Sequence, residues 1–329
     1  MKSNLPPILQ IKNLKTYFTT RQGIVKAVDD ISFNVEKGAV LGLVGESGSG
    51  KSMTSLSVLR LVPPPGKIVS GEILFENRSL LSLNNEEMRK RRGKEISMIF
   101  QEPMTSLNPV FTVGEQVAEM LRLHMKMSRK EAKEKTLSLF KGVGIPSEVK
   151  RYDEYPHQLS GGMRQRVMIA MAISCNPKLI FADEPTTALD VTIQAQILNL
   201  LHDLKEKLNM SLVLISHDLG IIAESADDVA VMYAGKIVET AETKALFANP
   251  IHPYTQGLLE SLPRFDQNGR EKSRLKAIPG VVPRLSDLPP GCAFEPRCPH
   301  AMAICKTSPP NLEEKETGHW ASCWLESKN

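Results

Sequence analysis

Long apolar runs are the first thing missing. No stretch of the 329 residues approaches 18 consecutive apolar side chains, so no bilayer-spanning helix is predicted. The opening MKSNLPPILQIKNL lacks the apolar centre and small-residue cleavage site of a signal peptide, and the expectation is a chain that stays in the cytoplasm. Charge of one sign is scarce too. A formal net charge of +4 suits an anionic ligand or lipid headgroups and does not call for nucleic acid. The basic run RKRRGK at 89–94 has no interleaved aromatics and reads as a solvated face. Cysteine is rare, with Cys175 alone before residue 290, while Cys292, Cys298, Cys305 and Cys323 all follow it. Disulfide scaffolds are uncommon in a reducing compartment, so these four thiols need another explanation.

Apolar residues make up 41% of the chain, ample for a buried core and too many for a disordered polymer. The length allows one large domain with an appendage or two modest ones. Over residues 8–44 short strands are predicted. PILQIKNL and IVKAVDDISFNV roughly alternate apolar and polar residues, and AVLGLVG is a short buried run. A glycine-rich turn at 45–50 feeds KSMTSLSVLRLV, which reads as a helix stopped by Pro63, Pro64 and Pro65. Residues 103–160 turn helical. There Ser128 and Glu131 form a capping-box pattern, with Ala132, Leu137, Phe140 and Val143 at helical spacing. KLIFADE and SLVLISHD are buried-strand runs separated by the helical TIQAQILNLLHDLKEKL, and that alternation predicts a mostly parallel sheet. After about residue 248 the periodicity loosens into a proline-rich tail, where a domain boundary is placed.

The chemistry begins at GESGSGKS: Gly45, Glu46, Ser47, Gly48, Ser49, Gly50, Lys51 and Ser52. It satisfies G-x-x-x-x-G-K-[ST] after a strand and at the opening of a helix. Glycines let the backbone curl its N–H groups toward phosphate oxygens, and the helix start adds its dipole. Lys51 can reach the β- and γ-phosphates, and the Ser52 hydroxyl can ligate Mg²⁺. LIFADEP puts Asp183 and Glu184 at the end of a buried strand, where α/β folds bind ligands. Asp183 suits the surroundings of Mg²⁺, and Glu184 can polarise an attacking water. LSGGMRQR offers a second helix start for an anion at Ser160, Gly161 and Gly162, although alone it reads equally as an N-cap and a turn.

The order of these motifs resembles that of ABC-type ATPases. SGG stands close before LIFADE, Gln101 in MIFQEP matches the Q-loop, Asp190 ending ALD matches the D-loop, and His217 in LISHD matches the switch histidine. The resemblance covers residues 8 to about 248. It implies an α/β fold with a P-loop NTPase (RecA-like) core over 1–102 and 161–248, and an inserted α-helical subdomain over 103–160. It also implies ATP hydrolysis with Glu184, His217 and Gln101 as catalytic residues, and Mg²⁺ near Ser52, Gln101 and Asp183. Two cassettes are expected to pair head to tail. Each ATP then lies between one P-loop and the partner's signature turn (Ser160, Gly161 and Gly162 here), with Asp190 also at the nucleotide. An aromatic that stacks on adenine is expected after the first strand; Phe18 fits best, with Tyr17 the near alternative.

Residues 249–329 form a C-terminal cysteine-bearing extension. NPIHPYTQGLLESLPR, IPGVVP and GCAFEPRCPHAMAIC, together with FQEPMTSLNP and YPHQLSGGMRQRVMIAMAI, resemble the dipeptide/oligopeptide importer ATPases over nearly the whole chain. That resemblance implies a peripheral position on the cytoplasmic face of the membrane. Its implied partners are two membrane permease subunits, an extracytoplasmic peptide-binding protein, and a second cassette that is a paralogue or another copy; nucleic acid is not among them. Relatives carry nickel or sugars, so an importer of such a solute is one alternative. A soluble non-transport ABC ATPase and a redox-sensing regulator that only binds nucleotide are the others. The cysteine spacing, C-x5-C-x6-C-x17-C, lacks the tight C-x2-C or C-x4-C start of zinc ribbons and fingers. Wide, uneven gaps suit a larger body such as a [4Fe–4S] cluster on four thiolates; zinc is the runner-up, and disulfides or free thiols come third. The importer family is known to carry such a cluster. One is expected here, stapling a tail too poor in periodic apolar sequence to fold alone. His300 and His319 are near enough in sequence to replace a ligand, and Cys175 reads as a core residue.

Overall fold

The computed structural model describes residues 6–21, 23–187, 189–262 and 277–325. It forms two compact units, both discontinuous in sequence: the first runs up to residue 8 and over 36–39 and 82–215, the second over 9–35, 40–81 and from 216 onward. The second unit opens with β1 (Leu9–Thr20) and β2 (Gly23–Val35), long antiparallel strands. Strands β4 (Gly66–Phe75) and β5 (Arg78–Ser79) complete a sheet of order β2-β1-β4-β5. Between β2 and β4 in the chain come β3 (Val40–Val44), buried at every position, and helix α1 (Lys51–Val58). The helix ends well before the prolines. Arg60 turns left-handed, its N–H bonds to Ser57 O, and the Leu61 N–H bonds to Leu56 O. This is a Schellman closure formed without glycine, which is why the sequence does not announce it.

In the first unit α2 (Asn85–Arg91) carries the first three residues of the basic run, Arg89 and Lys90 exposed and Arg91 partly buried, with Lys90 and Arg91 paired to Glu86 and Glu95. Strand β6 (Ile96–Ile99) runs parallel to β7 (Leu179–Asp183), and β7 runs parallel to β8 (Ser211–Ser216). Strands β7 and β8 are buried throughout, as a covered parallel sheet requires. Helices α3 (Pro103–Ser106), α4 (Val113–Met125), α5 (Arg129–Gly142) and α6 (Glu148–Tyr152) occupy the segment expected to be helical. The capping box is present: the Glu131 N–H donates to Ser128 Oγ at 3.3 Å, and the Ser128 N–H donates to Glu131 Oε2 at 2.8 Å. Ala118, Leu121 and Ala132 pack α4 against α5. Helices α7 (Gly161–Ile173) and α8 (Val191–Leu208) complete the unit.

The chain returns to the second unit with α9 (Leu219–Ser225), whose Ile222 packs on Gly42 of β3. Strand β9 (Asp228–Tyr233) pairs parallel with β3, then reverses into β10 (Lys236–Glu242) through Ala234 and Gly235, both at positive φ. Helices α10 (Thr243–Ala248), α11 (Pro253–Glu260) and α12 (Ala303–Thr307) follow. Two tail strands, β11 (Glu313–Glu316) and β12 (His319–Ala321), extend the sheet to the order β11-β12-β10-β9-β3. Strands β4–β6 and β9–β12 go beyond the sequence-based expectation. A single tail residue, Phe294, inserts its ring among Tyr233, Tyr254 and His252 at centroid distances of 5.2, 5.4 and 5.7 Å. Deleting a buried aromatic costs about 3–5 kcal/mol. Phe294→Ala should therefore lower the thermal midpoint and expose the tail to limited chymotrypsin digestion; wild-type melting and digestion would refute the anchoring role.

Candidate functional site

The GESGSGKS turn joins β3 to α1 and presses on the backbone of its own unit. Gly45 has φ 151°, and a Cβ there would lie 2.2 Å from Met232 O of β9. Gly50 has φ 106°, and its Cβ would meet Ala27 O of β2 at 2.4 Å. Only glycine satisfies both the dihedral and the space. Gly50 caps α1 with no side-chain bond, which leaves the helix start to be met by an anion. Lys51 is 5% exposed, and its Nζ donates to Gly45 O at 2.7 Å and to Glu46 O at 3.0 Å. The two candidate aromatics differ. The Tyr17 hydroxyl donates to Asp29, and burial together with that carboxylate holds its pKa well above the usual tyrosine value. The Phe18 ring lies against Gly66 of β4 and makes no polar commitment. His217 is exposed just after β8.

In the first unit Asp183 ends β7 and is 4% exposed. Glu184 follows at φ 44°, with its N–H bonded to Ile215 O at 3.0 Å. A left-handed non-glycine residue costs on the order of 1 kcal/mol, here set against fixed carboxylate placement. Glu184 Oε2 accepts from Gln101 Nε2 and from Thr187 Oγ1, each at 2.9 Å. Thr187 went unsingled in the sequence; its only signal is the hydroxyl pair in DEPTTALD. Ser160 caps α7 by accepting from the Met163 N–H at 3.3 Å, and Asp190 caps α8 by accepting from the Ile193 N–H at 3.0 Å. A Cβ on Gly162 would lie 3.0 Å from Ile193, so the two helix starts pack side by side.

The family described as ABC transporter matches residues 28–187, and the one described as oligopeptide/dipeptide transporter, C-terminal region, matches residues 238–305. The chain is 53% identical over 319 residues, 97% of its length and 96% of the relative's, to the oligopeptide transport ATP-binding protein AppD of Bacillus subtilis (strain 168). This chain belongs to the ABC transporter family. It is also 49% identical to the dipeptide transport ATP-binding protein DppD of Escherichia coli (strain K12), over 96% of each chain. Among solved structures it resembles the dimeric ATP-binding cassette MJ0796 in a post-hydrolysis state bound to ADP and Pi. That match has a TM-score of 0.65 at 28% identity and covers 71% of this chain and 98% of the other. The fold is therefore an ABC ATPase cassette, an α/β fold with mixed sheets.

In this ABC cassette Cys292, Cys298, Cys305 and Cys323 line one small pocket with Phe294, His300 and Trp324. The Cys292 N–H donates to Cys305 O at 2.8 Å. Burial, followed by the proximity of the other three thiols, pushes the Cys292 thiol up to about 11, and burial raises Cys298 and Cys323 as well. Among the described residues no group of three or more His, Cys, Asp or Glu is arranged to hold a metal ion. Cys305 is buried and the other three thiols are partly buried, and the tail is held by β12 and Phe294. His319 opens strand β12. It is 2% exposed, and its Nε2 lies 2.7 Å from Glu239 Oε1. Cys175 is buried in the first unit beside Met120 O.

The crowding at Gly45 generates a prediction. Gly45→Ala should weaken binding of a fluorescent ATP analogue at least about tenfold, because the loop must shift to accommodate the methyl group. Gly48→Ala, whose Cβ meets nothing within 4 Å, should lose less; equal losses would contradict the steric argument.

Proposed function

We propose that this chain is the ATP-hydrolysing subunit of an importer for dipeptides and oligopeptides. The observation that carries this reading is identity of about half over almost the full length to proteins named for oligopeptide and dipeptide transport. Those names favour peptides over nickel or sugars. Intact Lys51, Glu184 and His217 speak against a regulator that only binds nucleotide.

In this reading Gly45–Ser52 wraps the phosphates, and Lys51 moves from the carbonyls of Gly45 and Glu46 to the β- and γ-oxygens. Ser52, Asp183 and Gln101 would hold Mg²⁺, which neutralises charge on the phosphate oxygens. Glu184 orients the attacking water and takes its proton, while Gln101 and Thr187 keep the carboxylate aimed. His217 polarises the γ-phosphate, and Phe18 stacks on adenine because the Tyr17 hydroxyl is engaged by Asp29. Ser160, Gly161, Gly162 and Asp190 serve the ATP of a second cassette, a paralogue or another copy; a dimeric relative of known structure supports the pairing. We assign 1–102 and 161–248 to the nucleotide-binding core, 103–160 to a helical subdomain that meets the permeases, and 249–329 to the extension. Among the described residues no helix is long and apolar enough to cross a membrane. In this reading the chain attaches peripherally at the cytoplasmic face through two permease subunits, with an extracytoplasmic binding protein delivering peptide.

We further propose that Cys292, Cys298, Cys305 and Cys323 take up a [4Fe–4S] cluster. Four soft donors at one pocket support it, and the wide C-x5-C-x6-C-x17-C spacing disfavours zinc. When bound, the cluster supplies a crosslink within the tail.

Two measurements test these roles. Removing a general base costs about 10²–10⁴ in rate, so Glu184→Gln should retain ATP binding and nearly abolish turnover; retention of more than about a third of the wild-type rate would remove Glu184 from that role. Protein purified without oxygen should contain about four irons per chain and lose them on Cys298→Ser, whereas one zinc without iron would reject the cluster.

A further inference from the structure

Arg297 belongs to the tail, between Cys292 and Cys298, yet its side chain is 4% exposed and its head lies on the phosphate loop. Nη1 and Nη2 donate to Glu46 Oε2 and Oε1 at 2.7 and 3.0 Å. The guanidinium is itself fixed. Its Nε donates to Pro279 O at 3.0 Å, Nη1 reaches the Tyr233 hydroxyl at 3.4 Å, and the rings of Tyr233 and Phe294 lie 5.8 and 5.9 Å away. A planar fork meeting a carboxylate with two parallel bonds is a geometry that lysine cannot reproduce.

Glu46 is gripped along its backbone as well. Its N–H donates to the Tyr254 hydroxyl of α11 at 2.8 Å, and its carbonyl accepts from Lys51 Nζ at 3.0 Å. Tail and helix thus fix one loop residue, and that residue's carbonyl seats the amine assigned to the phosphates.

We propose that Arg297 is a positioning residue for the nucleotide site. It clamps Glu46, sets the curl of the phosphate loop and the seat of Lys51, and so makes nucleotide affinity depend on an intact tail. The proposal rests on the reading of Gly45–Ser52 as the phosphate loop.

The test is a double-mutant cycle on the full chain, read as binding of AMP-PNP with Mg²⁺ and as KM and kcat for ATP. Arg297→Ala and Glu46→Ala should each weaken binding about tenfold, the equivalent of one charge-assisted hydrogen bond. The double variant should bind no more weakly than the worse single one, and Arg297→Lys should fall between wild type and Arg297→Ala. The loss should appear in KM with kcat within about twofold, since Glu184 and Gln101 are untouched; general misfolding would instead lower kcat. Binding by Arg297→Ala within twofold of wild type, or losses that multiply in the double variant, would overturn the clamp. If Arg297→Ala lacks the wild-type far-UV circular dichroism spectrum, Glu46→Ala decides alone, and unchanged binding there overturns it. Lys51→Ala separates the two ideas. Wild-type binding in that variant sinks the phosphate-loop reading and the clamp with it, whereas loss there with retention in Glu46→Ala sinks the clamp only.

Discussion

One buried carboxyl organises the second unit. Glu239 sits in β10 with no exposure at all, where an unpartnered carboxylate would cost several kcal/mol. Its Oε1 accepts from the Ile251 N–H at 2.7 Å and lies 2.7 Å from His319 Nε2, while Oε2 accepts from the His252 N–H at 2.9 Å. A side chain that must find these partners pins both the turn into α11 and tail strand β12. The run continues from there. His252 Nδ1 accepts from the Tyr254 N–H at 3.0 Å, and the Tyr254 hydroxyl accepts from the Glu46 N–H. Burial depresses the His252 pKa to about 4, so the ring stays neutral near pH 7 and its Nδ1 stays an acceptor. Hydrogen bonds thus lead from the sheet edge to the phosphate loop without leaving one unit.

Backbone conformation and chemistry coincide in both units. Gly45 and Gly50 take dihedrals and approaches closed to any side chain, and Glu184 takes a left-handed conformation that brings its carboxylate to Gln101 and Thr187. In each case an unfavourable local geometry is held by neighbouring strands. The phosphate loop leans on β9 and β2, and the Glu184 N–H is tied to the end of β8.

The tail is better integrated than its loose periodicity suggests. It contributes β12 to the edge of β10, Phe294 to an aromatic cluster and Arg297 to Glu46. The thiols line a pocket beside Phe294 and do not stand in for these contacts. A metal bound there would add to a tail that protein contacts already order, which differs from the small domains that depend on metal to fold.

Features whose cause is local could be read from the chain alone. GESGSGKS announces a phosphate loop because glycine, lysine and serine act within eight neighbouring positions. Ser128 and Glu131 announce a helix start across a single turn, and the apolar runs of β7 and β8 announce a covered parallel sheet. The order of the motifs carried the cassette resemblance as far as its residues. What depends on distant partners was silent. Arg297 and Glu46 are 251 residues apart, Gln101 and Glu184 are 83 apart, and nothing beside either member encodes the other. Strands as short as β12 give too few positions for an alternating pattern, and the left-handed turns at Arg60 and Ala234 use residues that do not signal one. Only the packed structure decided that His319 is buried against Glu239, that the Tyr17 hydroxyl is committed to Asp29, and that the cysteine tail grips the phosphate loop. Each outcome is set by which groups must share a desolvated space, and that is fixed only when the whole chain has folded.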